Sequence, residues 1–320
     1  MKEIEDTKNY RPIEQIDVSA SQDIVELMDK FNNMGFNAKR LAQACQIYEN
    51  MCKEKECVKF FSLSGALVPV GLQKVIYDFI KEGFIDVLVT TGANLTHDVG
   101  EALGDHHLQG FSSDDIKIDS HLHEEHLNRI FDVFMPNKIY ENMEDWIHSF
   151  KIDHKASVKE TLWALGAKLP KESHSILQIC SEKKIPIYCP AFTDSGLGMQ
   201  LSFAYPSMNL NQFEDLQEMI NKAWDTKVAG VFIAGGGVPK NFIFQALQFS
   251  PNSGKYVVQV TTDAQVSAGG LSSASLSEAI SWGKVAANGK SETVQVHMDC
   301  TIALPIILAF LKQKKQLGII

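Results

Sequence analysis

The feature that most constrains this chain is an alternation repeated along its length: a short apolar run, a turn of small residues at its end, then an amphipathic stretch. Apolar runs at 58–62, 85–89, 185–189, 228–234 and 256–260 lead into turns at 64–69, 90–94, 190–198, 235–240 and 261–264. A sixth run at 294–298 precedes Asp299, Cys300 and an apolar helical pattern at 302–311. Short runs bounded by Gly, Ser, Thr and Pro read as strands, and the stretches between them repeat their apolar positions with helical spacing. One parallel strand can follow another only through a crossover long enough to hold a helix. The pattern therefore predicts an α/β protein: a doubly wound, mostly parallel sheet with helices on both faces, taking its ligand beyond the carboxyl ends of the strands.

Length and charge narrow the reading. The 320 residues can bury a sizeable core. Residues 1–20 read as a polar arm, and 21–320 as a single domain with a loop-rich insertion at about 105–155 that carries a helix near 144–150. Helical patterns near 21–35 and 38–54 precede the first strand. Lys plus Arg is 30 and Asp plus Glu is 39, a net charge of −9, which argues against nucleic acid as a partner. The polar N-terminus lacks the apolar segment of a secretion signal, and no apolar run is long enough to span a bilayer, so a cytoplasmic protein without membrane contact is expected. The six cysteines, Cys45, Cys52, Cys57, Cys180, Cys189 and Cys300, form no C-x-x-C pair and read as reduced thiols.

Three small-residue turns at equivalent strand ends favour a nucleotide site. Gly235-Gly236-Gly237 follows an apolar run and opens a helical pattern, so its backbone can approach a phosphate closely while helix-terminal amides point at it. Thr90-Thr91-Gly92-Ala93-Asn94 and Asp194-Ser195-Gly196-Leu197-Gly198 occupy the corresponding places after two other runs. Gly289-Lys290-Ser291 ends like a P-loop but lacks its upstream glycine spacing and preceding strand, which excludes that ATPase motif. His121, His123 and His126, with His97, His106 and His107, lack the spacing of metal-site motifs and read as surface histidines, so no metal is assigned.

The segment 275–284 carries the sharpest chemistry. Glu278 and Trp282 are four apart, on one helix face, and Lys284 follows at the helix end. A carboxylate and an indole suit an alkylammonium, and a lysine beside them can form a Schiff base. The same residues also read structurally, as a capping box at Ser275 and Glu278, a core tryptophan and a solvated lysine.

Glu278-Ala-Ile-Ser-Trp-Gly-Lys284 resembles the catalytic-lysine segment of deoxyhypusine synthases. The motifs at 86–92, 190–194 and 235–240 and Asp299 resemble the family's other motifs in order and spacing, over about 55–312. The resemblance implies a Rossmann-like NAD-binding fold assembled as a homotetramer, with active sites between paired subunits. It further implies a reaction in which NAD oxidises spermidine, a lysine captures the four-carbon fragment as an imine, and the fragment passes to a lysine of translation initiation factor 5A. Carried over by position, Lys284 is the imine-forming nucleophile, and Glu278, Trp282 and Asn241 contact the polyamine. Thr91, Gly92, Ala93, Asp98, Asp194, Gly235, Gly236, Gly237, Asp263, Ala264, Asp299 and Cys300 fall where the family binds NAD, with Ala66 beside them.

The departures concentrate at the polyamine end. Asn241 stands where typical members have a histidine, and Met199 and Leu271 stand where they carry amine-binding aspartates. Burying an alkylammonium without a counter-charge costs several kcal/mol in order of magnitude. Three outcomes follow: transfer to the translation factor, transfer to a free amine as in homospermidine synthase, or a non-catalytic regulatory paralogue that keeps the NAD site.

Overall fold

The computed structural model describes residues 12–19, 22–153, 155–264, 270–287 and 289–320. Of the expected arm, residues 12–19 carry no helix or strand, and residues 1–11 and 20 lie outside the described residues. Two helices come first, α1 (Ile24–Asn32) and α2 (Phe36–Lys53). Asp23 caps α1 by accepting from the Glu26 N–H, a preferred use of an aspartate at a helix start.

The six expected strands pair in one parallel sheet. They are β1 (Cys57–Leu63), β2 (Val87–Thr90), β6 (Ile187–Tyr188), β7 (Val228–Ala234), β8 (Gly254–Thr261) and β9 (Glu292–His297). Their spatial order is β6-β2-β1-β7-β8-β9. The chain thus builds outward from β1 in one direction, returns, and builds outward in the other, the order of a doubly wound dinucleotide-binding sheet. The reversal falls between β1 and β7, paired from Cys57↔Val228 to Leu63↔Ala234.

Successive strand residues point to opposite faces, and the core divides accordingly. Phe61, Leu63, Leu88, Phe232, Val258 and Val260 enter a large cluster with α2, α3 (Gln73–Lys81) and the last helix, α13 (Cys300–Gln316). Phe60, Val87, Val89, Val231, Ile233 and Val257 enter a smaller cluster under α10 (Gln212–Asp225), α11 (Gly237–Gln248) and α12 (Leu276–Ser281). The remaining crossovers include α4 (Gly92–Ala102), α7 (Val158–Gly166), α8 (Ile176–Lys183) and α9 (Gly196–Ala204).

The region expected to be loop-rich has more order than its sequence advertised. It folds as a three-stranded antiparallel sheet, β3 (Leu108–Gln109), β4 (Leu127–Ile130) and β5 (Val133–Pro136) in the order β3-β5-β4, with α5 (Ile116–Glu124) and α6 (Lys138–His148). Its strands are two to four residues long. The tight β4–β5 turn places Phe131, not a glycine, at φ 54°, so the usual hairpin signal is missing.

Candidate active site

The switch point carries the glycine turn. Gly235 and Gly237 have φ of 81° and 60°, conformations glycine adopts without steric cost. A Cβ on Gly236 would overlap the Cα of Ser272, whereas one on Gly237 would meet nothing within 4 Å. The turn is thus packed from behind and open in front. Gly236 caps α11 with no side-chain hydrogen bond, so the first N–H groups of that helix are left for another acceptor. Ser64, just past β1, hydrogen-bonds the Gly236 carbonyl through its hydroxyl, and the Gly236 N–H donates back to that oxygen at 3.2 Å.

Other residues expected to bind the cofactor gather on this carboxyl edge. Thr91 caps α4, accepts from the Asn94 N–H at 3.3 Å and donates to the Gly65 carbonyl at 2.7 Å. Ala93 is half-buried beside it. Asp194 is exposed in the segment that leads to α9. Asp263 accepts from the Ser272 hydroxyl, and Ala264 is half-buried next to it. Asp299 caps α13 with one carboxylate oxygen, 2.7 Å from both the Thr301 N–H and hydroxyl. Cys300 lies beneath, its thiol 3.6 Å from the Val260 carbonyl and pushed up to about 11 by burial.

Two expected cofactor residues take structural roles. Gly92 sits where a Cβ would overlap the Ser195 side chain, so its glycine is required by the close approach of α4 to the segment before α9. Asp98 is fully buried. Its carboxylate accepts from Ser175 Oγ (2.6 Å), Ile176 N (2.8 Å), Leu177 N (3.0 Å) and Gln73 Nε2 (2.8 Å). Burial raises its pKa while these donors oppose the rise. The group holds the N-terminus of α8.

The expected amine-binding residues meet in a separate cleft between α11 and α12. Lys240, Asn241, Phe244, Leu271, Glu278, Trp282 and Lys284 line it, and it encloses about 50 Å³. Lys284 is half-buried, with Nζ 5.1 Å from the centroid of the Trp282 ring, within cation–π range. Trp282 is 56% exposed, which overturns its structural reading as core. Ser275 accepts from the Glu278 N–H at 3.1 Å. That is half of a capping box; α7 has the complete one, with Glu160 reaching back to Ser157. Leu271 lines the cleft, whereas Met199 is exposed on α9 and does not.

The main chain of Lys284 lies at the far end of the sheet from the glycine turn. Its carbonyl accepts from Gly254 N at 3.0 Å, at the start of β8, and Val285 bridges the same glycine. Eight residues of β8 separate that point from the carboxyl edge, roughly 20 Å at the rise of an extended strand.

Two networks escaped sequence reasoning. Lys240 was visible only as the end of the glycine motif, and Gln259 as a polar break in an apolar run; the structure buries both, at 4% and 0% exposure. Lys240 Nζ donates to Gln259 Oε1 (3.0 Å), Leu271 O (2.8 Å) and Ala274 O (3.0 Å). Burial pulls this ammonium down to about 8, with Glu278 opposing and Lys284 assisting. The histidines divide. His121 and His123 are exposed on α5, but His97 Nδ1 lies 2.8 Å from His107 Nε2, and His107 Nδ1 lies 2.6 Å from Glu101 Oε1. Burial lowers His97 to about 4, and the His107 bonds bring Glu101 to about 2 against its own desolvation.

The family model for deoxyhypusine synthase matches residues 26–311. The chain belongs to the deoxyhypusine synthase family. A Methanosarcina thermophila relative named "Probable deoxyhypusine synthase" is 38% identical over 309 residues, 95% of each chain. One from Archaeoglobus fulgidus, "Probable deoxyhypusine synthase 1", is 39% identical over 290 residues, 90% of this chain and 93% of that one. A crystal structure of an Entamoeba histolytica protein assigned to deoxyhypusine synthase superposes with a TM-score of 0.59 at 17% identity, covering 93% of this chain and 96% of that chain. The family is one of transferases. No helix among the described residues is long and apolar enough to cross a membrane.

Proposed function

We propose that this chain is an NAD-dependent aminobutyl transferase, taking the fragment from spermidine and passing it through an imine on Lys284 to an acceptor amine, first of all the lysine of translation initiation factor 5A. The observation that carries the proposal is the cleft in which Lys284, Trp282 and Glu278 meet. Lys284 Nζ attacks the oxidised carbon of the donor, the carbon–nitrogen bond to the departing diamine breaks, and the acceptor amine later displaces the lysine in the same way. Trp282 presents an aromatic face to the alkylammonium chain, and Glu278 supplies the carboxylate that holds an amine. NAD, when bound, supplies the oxidising power at the start and returns the electron pair at the end.

The residues at the switch point fit that cofactor. The open front of Gly237 and the uncapped start of α11 suit a pyrophosphate, and Thr91, Asp194, Asp263 and Asp299 border the same edge. The Lys284 main chain joins the sheet at the opposite end of β8, and the site is read as shared between two copies, the lysine of one serving the cofactor of another, in a cytoplasmic homotetramer. Borohydride trapping after incubation with NAD and labelled spermidine tests the proposal. A reduced aminobutyl adduct on Lys284 is expected; its absence, with NAD binding verified, would remove Lys284 as nucleophile. Label appearing in the translation factor, or instead in a free triamine, then separates the two acceptors.

A further inference from the structure

We infer that Lys240 is the positioning residue that joins the glycine turn to the Lys284 segment, tying the strand–helix edge and the amine cleft into one body. The inference deepens the function proposed above and rests on Lys284 and the glycine turn having the roles given there.

An ammonium has three donors and no acceptor, and Lys240 spends all three on neutral partners: Gln259 on β8, and the Leu271 and Ala274 carbonyls in the segment just before the Ser275 cap. Gln259 continues the bridge, donating to the Gly235 carbonyl at 2.8 Å and to the Ser272 carbonyl at 2.9 Å. The chain of bonds therefore runs from the turn, through Gln259 and Lys240, to Ala274, the residue before the Ser275 cap of α12. A buried lysine without a bonded carboxylate is a costly choice for mere filling; an apolar side chain of equal length would fill the space but leave three acceptors unpaired.

Hydrogen–deuterium exchange of the full chain, with and without NAD, tests this by peptide mass spectrometry. In the wild type, NAD is expected to slow exchange about tenfold both in 235–248 and in 270–287. In Lys240→Met the protection of 235–248 should remain within about threefold of wild type while that of 270–287 disappears. Lys240→Arg, which restores charge and donors, should recover it. Gln259→Glu keeps an acceptor for Lys240 but loses both onward donors, and must also uncouple 270–287; it decides the matter if Lys240→Met does not fold. Coupling that survives in both Lys240→Met and Gln259→Glu, or equal loss in both regions without rescue by arginine, overturns the positioning role. If NAD protects neither region of the wild type, the cofactor reading fails instead, and Lys240 is judged by ligand-free exchange of 270–287, which Lys240→Met must then raise about tenfold. An absent Lys284 adduct alongside intact coupling likewise sinks the nucleophile and spares the clamp.

Discussion

The carboxyl edge of the sheet and the α11–α12 cleft are built on opposite terms. At the edge several residues are committed to the fold. Asn94, fully buried, accepts from the Leu67 and Val68 N–H groups and donates to Thr90 and the Leu63 carbonyl, and Gly92 and Gly236 have no room for a Cβ. In the cleft, Glu278 is exposed, Trp282 is 56% exposed and Lys284 is half-buried. Folding explains Asn94, Gly92 and Gly236 almost without remainder, because changing any of them leaves unpaired groups or a clash. It does not explain a half-open lysine beside an exposed indole, and residues that the fold does not need are the stronger pointers to chemistry.

The largest expected effect separates the two regions completely. Lys284→Arg keeps the charge but cannot form the imine, so transfer should fall by at least about a thousandfold. NAD affinity should stay within about threefold, since the Lys284 main chain joins the sheet roughly 20 Å from the edge along β8 and the substitution keeps the charge. Single-turnover trapping and calorimetric NAD titration measure the two. Near-normal transfer would dissolve the contrast, because the cleft would then hold no nucleophile.

Acid pH should weaken the scaffold around α4. His97 stands at about 4 in the folded chain against an ordinary 6.5, so between those values the unfolded chain binds a proton that the folded one refuses. Stability therefore falls as pH drops from about 6.5 to 4, by about 3 kcal/mol at most. Glu101, lowered from 4.5 to about 2, adds a further loss below about pH 4.5, of the same sign. Denaturant titrations from pH 7.5 to 4 on wild type and His97→Gln check this; the variant should lose most of the slope between pH 6.5 and 4. An unchanged slope would remove His97 from the pH response.

Gly236→Ala probes how tightly the edge is packed. The new Cβ must displace the Ser272 backbone, at about 1–3 kcal/mol for overpacking. Thermal unfolding and NAD affinity should fall together. Gly237→Ala meets open space and bears only the strain of its left-handed backbone, about 1 kcal/mol, so it should cost less stability. Equal losses would mean that the turn relaxes freely and that the edge is no more determined than the cleft.

The sheet was legible in the sequence because its strands are mostly apolar runs ending in small residues; β7 spans its expected residues, and β1 and β8 extend one or two residues beyond theirs. The cleft was legible through the spacing of Glu278, Trp282 and Lys284. Three features were hidden for physical reasons. Lys240 and Gln259 look like solvated polar residues until tertiary contacts bury them. The small sheet has strands too short to show alternation. Asp98 lies in the cofactor motif, yet its partners Ser175, Ile176 and Leu177 are nearly 80 residues on, a distance over which no local pattern reports. The strand order too was settled only by the structure, since six β-α units allow several arrangements and only pairing tells them apart.

Trp282→Ala should have the smallest effect on stability and a clear one on substrate use, which makes it the finest test of the contrast. More than half of the side chain is exposed, so truncation should cost no more than about 0.5 kcal/mol of folding free energy. In the cleft, however, the ring lies over the Lys284 ammonium at 5.1 Å, and an alkylammonium donor would use the same face at about 0.5–1 kcal/mol for a partly exposed contact. Donor KM should therefore rise about three- to fivefold, with NAD affinity and unfolding midpoint unmoved. Phenylalanine, which keeps a weaker aromatic face, should fall between. A large drop in stability would mean that the indole is core after all, and that the cleft, like the edge, is explained by folding alone.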